Sequence, residues 1–123
     1  MPLNFISLYM NSFVDILLKD ISTIVDTLIE ALIVKNTFDK SLISVDYFSK
    51  SKQGDVSTNV LIILRNFLIV KDFDLKNSLH NKFENLEYVK KVNIAKAGFI
   101  NIFFHENFLT QKLSNVIEEK NNY

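Results

Sequence analysis

The chain has no cysteine and no tryptophan, one proline and only two glycines. Without cysteine there is no disulfide framework, no thiolate metal site and no thiol nucleophile, a composition that suits a reducing, cytoplasmic setting. With so few glycines and prolines, tight turns must be rare, and the 123 residues are expected to form long regular elements. Charge of one sign is also missing, since 14 basic residues face 14 acidic ones. No global positive field draws a polyanion in from a distance, so any contact with nucleic acid has to be local. No apolar run approaches the roughly 18 to 20 residues that span a bilayer, so no membrane association is expected. The uncharged opening from Met1 to Val14 has no basic leader, contains Asn4 and Asn11, and runs into Asp15, Lys19 and Asp20, which argues against a secretory signal.

What the chain does have is apolar mass. Hydrophobic residues make up 48% of it and eleven are Phe, enough to fill one core in one domain. From about Asn11 to Val34, apolar residues recur at Phe13, Leu17, Ile21, Ile24, Leu28 and Ala31. That spacing of three and four predicts an amphipathic helix, capped by Asn11 or Ser12. Leu18, Val25, Ile29 and Ile33 widen its stripe, so the helix should lie across a sheet. Ile43, Val45 and Tyr47 alternate with Ser44, Asp46 and Phe48 as in a half-buried strand, and Ser49 to Gln53 is a polar loop.

Gly54-Asp55 has turn chemistry that would feed a helix from Thr58 to about Val70, with Asp55 or Ser57 as its N-cap. Asp72 or Asp74 would cap a third helix through Leu75, Leu79 and Phe83, ending at Asn85. Two strands, Tyr88 to Ala95 and Phe99 to His105, are joined by Lys96-Ala97-Gly98, whose glycine stands where a left-handed conformation is commonly needed. Asn107 to Glu119 reads as a closing helix. This succession predicts an α+β two-layer sandwich, with a small antiparallel sheet of three or four strands packed against helices.

No catalytic residue and no metal ligand emerges from the pattern. His80 and His105 are the only imidazoles, and neither has a partner at the spacing of His-Glu-x-x-His. With two glycines no glycine-rich phosphate cradle can form, and Glu118 and Glu119 on a helix do not face one another. No nucleophile, base and orienting group appear together, which disfavours a small stand-alone enzyme.

The stretch from Ala95 to Phe104 carries the most information. In a strand, Ile100, Ile102 and Phe104 share one face, and Phe99, Asn101 and Phe103 share the other. The first set reads as core. The second is an aromatic platform with an amide in its middle, and Asn is a poor mid-strand residue unless its side chain is needed or solvated. Residue types alone leave Phe99 open as an ordinary edge aromatic and Asn101 as a solvent-facing strand residue. They equally leave Lys90, Lys91 and Lys96 open as a solvated face or as phosphate contacts.

Together with Gly54-Asp55-Val56-Ser57-Thr58-Asn59, this stretch resembles the motif pair of the N-terminal additional domain of arginyl-tRNA synthetases. The usual forms there are Gly-Asp-Tyr-(Ala or Ser)-Thr-Asn and, later, Ala-Gly-Pro-Gly-Phe-Ile-Asn-Phe. The resemblance runs from about Met10 to Ile117. It implies domain bounds of 1–9 for an extension, 10–119 for the additional domain and 120–123 for a polar tail leading to a catalytic domain of the same polypeptide.

By the same resemblance, Phe99 packs on an exposed base of the D-loop of tRNA-Arg and Asn101 reads its edge. Gly98, Lys96, Lys90 and Lys91 stand beside them, and DNA is not an expected partner. Lys96-Ala97 replaces the usual Gly-Pro, so the hairpin tip is expected to differ in shape. The Gly54–Asn59 motif is expected to be architectural. The family's ATP- and magnesium-dependent arginine ligation belongs to a domain with His-Ile-Gly-His and Lys-Met-Ser-Lys-Ser type motifs. Neither motif occurs here, so the chain is expected to be a cofactor-free fragment of that enzyme. The rival expectation is a docking or self-associating module that uses the broad stripe of the first helix.

Overall fold

A computed structural model describes residues 5–48 and 53–121. Among the described residues, four α-helices and four strands follow one another as α1 (Phe5–Glu30), β1 (Val45–Tyr47), β2 (Val56–Thr58), α2 (Val60–Leu64), α3 (Asp72–Glu84), β3 (Val89–Ile94), β4 (Ile100–Phe104) and α4 (Glu106–Asn121). The strands form one antiparallel sheet in the order β1-β2-β4-β3. This is the α+β sandwich that the sequence predicts.

The helix stripe becomes core. Phe13, Leu17, Ile21, Val25 and Leu28 of α1 are fully buried and cluster with Val56, Ile100, Ile102 and Phe104 of the sheet and with Leu61, Leu64, Leu75, Leu79 and Phe83 of α2 and α3. Phe108 docks α4 by packing on Phe13, Tyr88 and Phe104 at ring-centroid distances of 5.3, 4.7 and 5.5 Å. Val14, Leu18 and Ile29 at the margins of that stripe are partly buried and pack against the same core.

Helix α1 begins well before Asn11 and Ser12, so neither residue caps it. Its other end closes on Leu32, a non-glycine residue at φ +59°. There Ile33 N–H bonds the Leu28 carbonyl and Leu32 N–H bonds the Ile29 carbonyl, both at 3.0 Å, the paired bonds of a Schellman ending.

The segment after Gly54 is strand, not a helix entry. Asp55 caps nothing; its Oδ2 accepts the Phe104 N–H at 2.7 Å, beyond the end of the β2–β4 ladder. Asn59 clamps the preceding chain, accepting the Ser44 N–H at 2.8 Å and donating to the Leu42 carbonyl at 3.0 Å. Gly54 is wedged against β4, where a Cβ would lie 3.2 Å from the Ile102 carbonyl oxygen. These contacts tie three chain segments together.

The helix expected to reach Val70 stops at Leu64 and tightens into a 3-10 turn over Arg65–Phe67. Leu68 is extended because it bridges Val34, with the Phe67 carbonyl accepting the Lys35 N–H at 2.8 Å. Asp72 and Asp74 lie in the first turn of α3 rather than at its cap, which is Lys71, and Asn85 ends that helix as expected. The polar loop expected from Ser49 falls mostly outside the described residues, as does Tyr123.

Candidate nucleic-acid interface

Strand β4 runs through the middle of the sheet with Ile100, Ile102 and Phe104 turned into the core. Alternation places Asn101 and Phe103 on the opposite face, which no helix covers among the described residues. The registers align Asp46 with Ser57, Ser57 with Asn101, and Asn101 with Asn93. A polar row thus crosses all four strands at one level, with Asn101 near its centre. One level along, Lys91 stands opposite Phe103 and holds its Nζ 5.6 Å from the ring centroid. A bulge between Val89 and Lys91 leaves Lys90 and Lys91 both exposed.

The hairpin tip is built as its glycine suggests. Gly98 N–H bonds the Ala95 carbonyl at 2.9 Å and Ala95 N–H bonds the Phe99 carbonyl at 2.8 Å, closing a three-residue loop over Lys96, Ala97 and Gly98. Gly98 takes φ +105° and is buried, while Lys96 and Ala97 are exposed. The replacement of Gly-Pro by Lys96-Ala97 therefore still permits a tight turn. Phe99 emerges from that turn with 44% of its surface exposed, a high figure for an aromatic with a core available.

Asn101 differs from its expected setting as an open amide. It faces outward but is only 5% exposed, because residues of both neighbouring strands and of its own strand crowd round a short side chain in the sheet centre. Among the described residues no fully buried side-chain oxygen or nitrogen lacks a hydrogen-bond partner, so the burial of Asn101 leaves no orphaned polar atom. Asn101 is thus a recessed amide at the centre of the sheet. A polar group so enclosed is costly to leave mispaired, by about 1 to 3 kcal/mol, which favours selectivity over bulk affinity.

Arg65, the only arginine in the chain, supports the tip and was not signalled by any motif. Asp72 holds it through Nε at 2.7 Å and Nη2 at 3.4 Å. Its Nη1 would lie 2.6 Å from a Cβ at Gly98. The guanidinium therefore sits directly on the glycine of the hairpin tip, with Nη1 as its nearest atom. Ser57 and Asn93 also join the face without having been singled out as contacts, because the register that brings them together is a long-range property, whereas Phe103 was already placed there by alternation within its own strand.

Elsewhere the described residues hold no group of three potential metal ligands. His80 lies 3.5 Å from Glu84 on one face of α3 as a surface pair. No helix there is long and apolar enough to cross a membrane.

The model of the arginyl-tRNA synthetase N-terminal domain family matches residues 18–104, which take in β1 to β4, α2, α3 and the second half of α1. Among related proteins, the arginine–tRNA ligase of Anaplasma phagocytophilum is 39% identical over 57 residues, 46% of this chain and 10% of that protein. The Ehrlichia chaffeensis enzyme is 31% identical over 70 residues, 57% of this chain and 12% of that protein. The Alcanivorax borkumensis enzyme is 28% identical over 100 residues, 79% of this chain and 17% of that protein. The aligned stretches thus span only between a tenth and a sixth of these relatives' length.

Proposed function

Because the chain belongs to the arginyl-tRNA synthetase N-terminal domain family, we propose that its open sheet face contacts the D-loop at the elbow of tRNA-Arg, on behalf of an arginine–tRNA ligase. Arginylation, with ATP and magnesium, is the work of a catalytic domain of the same polypeptide, and this domain adds grip and selection. The observation that supports the reading best is the pairing of Phe99 with Asn101. An aromatic ring stands out from the hairpin with 44% of its surface exposed, and two residues along the strand a carboxamide lies recessed at 5%.

An unstacked loop base regains about 1 to 3 kcal/mol by stacking on such a ring. The carboxamide then donates to and accepts from the base edge. Lys90, Lys91 and Lys96 line the same edge of the sheet and hairpin, where phosphates would pass, which supplies local positive charge in a chain of zero net charge. Gly98 serves by shape, letting Arg65 brace the turn that presents Phe99. One stacked base and a few phosphates give weak binding alone, and the domain gains its effect through the high effective concentration that tethering to a catalytic body provides.

The test is Asn101→Ala in a ligase polypeptide carrying this domain. The Michaelis constant for tRNA-Arg should rise about tenfold, with little change in the turnover number or in the constants for arginine and ATP. An unchanged constant for tRNA would remove the proposal.

A further inference from the structure

The sheet face carries a second aromatic that the single-base reading leaves idle. Phe103 projects from β4 on the same side as Asn101, half-buried, with Lys91 from β3 over its ring. We propose that Phe103 and Lys91 form a second nucleotide subsite, so that the face takes a run of two splayed bases, one on Phe99 and one on Phe103. Asn101 and its cross-strand neighbour Asn93 would lie between them. The inference rests on the tRNA reading above and extends it to a longer single-stranded footprint.

Three features argue for this occupant. Phe99, immediately ahead of β4, and Phe103 within it are four residues apart, roughly 13 Å of extended chain at about 3.3 Å per residue. Phosphates of one duplex strand advance only about 3.4 Å per nucleotide, so rings this far apart suit unstacked loop nucleotides and not a helix. Two carboxamides, the recessed Asn101 and the exposed Asn93, are in direct register between the rings, and a carboxamide carries both donor and acceptor groups suited to base edges.

The third feature is the ammonium of Lys91. In the free chain it lies on Phe103, a modest cation–π contact at an exposed site. A base that stacks on the ring displaces an ammonium that has a phosphodiester beside it to move to. The displaced charge is therefore recompensed, and the sole cost is the contact it leaves. Lys90, exposed at the adjoining bulge, extends that basic edge.

The experiment titrates a tRNA-Arg transcript into the 123-residue chain and its variants at several salt concentrations. Phe103→Leu should weaken binding about tenfold. Lys91→Gln should weaken it severalfold and flatten the plot of log affinity against log salt by about 0.7, the value of one single-strand phosphate contact. If Phe103→Leu and Lys91→Gln bind like wild type while Phe99→Ala and Asn101→Ala are weakened, the second subsite is overturned and the tRNA reading stands. If the wild-type chain binds no transcript, or all four variants bind as it does, both readings fall. Circular dichroism checks the fold. Should Phe103→Leu unfold, the exposed Lys91→Gln decides alone, with unchanged affinity and salt slope overturning the subsite.

Discussion

Asp55 and Phe104 are 49 residues apart in sequence and joined by a 2.7 Å hydrogen bond from backbone N–H to carboxylate. The bond continues the β2–β4 pairing past Val56 with a side chain in place of a strand, and so fixes β4 lengthwise in the sheet. Hydrogen bonds to charged groups contribute about 1.5 to 3 kcal/mol, and the Phe104 amide would lose its acceptor. Asp55→Ala should therefore lower stability by about 2 kcal/mol in urea denaturation, and Asp55→Asn, which keeps an acceptor oxygen, by clearly less. Equal losses would show that the charge, and not the bond, is what matters.

Leu32 holds a left-handed conformation that a side chain resists, and it is 68% exposed, so little burial offsets the strain. Glycine suits that position at a helix end. Leu32→Gly should raise stability by about 0.5 to 1 kcal/mol, once the added freedom of the unfolded chain is counted. A loss measured by chemical denaturation would mean that Leu32 contributes apolar contacts that outweigh its strain.

Tyr88 is partly buried and donates its hydroxyl to Asp20. Burial first, then the hydrogen bond and the negative charge of Asp20, push its phenol well above the ordinary value of about 10. A raised folded-state pKa gives stability that is complete below the unfolded value and is lost as pH climbs past it, because the unfolded chain releases the proton first. Stability should accordingly fall above pH ~10. Tyr88→Phe should lessen that alkaline fall while lowering stability at neutral pH, by leaving Asp20 without its donor. Urea denaturation at neutral and alkaline pH checks both, and parallel pH curves for the two proteins would contradict the assignment.

Asn59 bonds two backbone groups at once, the Ser44 N–H and the Leu42 carbonyl. Asn59→Ala should cost about 1 to 2 kcal/mol, and Asn59→Asp, which keeps the acceptor but loses the donor, part of that. Thermal denaturation of the pair separates the two bonds.

Features set by local chemistry were legible in the sequence. The β3–β4 hairpin was, because Gly98 marks the turn and alternation marks both arms, and α1 was, because its stripe has the helical period. Gly54–Ser57 was misread as the turn and cap of a helix that in fact begins at Val60, after Asn59, because Gly, Asp and Ser favour caps and turns wherever they stand. What makes Val56–Thr58 a strand is β4, more than 40 residues later, pairing in a register that no local signal encodes. The recessed setting of Asn101 was hidden for the same reason, since its shielding comes from strands on both sides. Arg65 was overlooked because its importance comes from where the chain tightens after Leu64, and the only hint was its being a lone arginine among lysines. The left-handed Leu32 could not be foreseen, because leucine gives no sign of that conformation.

The central claim is that the face carrying Phe99 and Asn101 meets tRNA. It is tested most directly by following backbone and side-chain amide NMR signals of the isotope-labelled chain as a tRNA-Arg transcript is added. The largest shifts should fall on Phe99 to Phe103, on Lys90, Lys91 and Asn93, and on the Asn101 side-chain amide, with α1 and α3 nearly silent. Shifts confined to the helices, with β4 and the Asn101 carboxamide unmoved, would contradict the account.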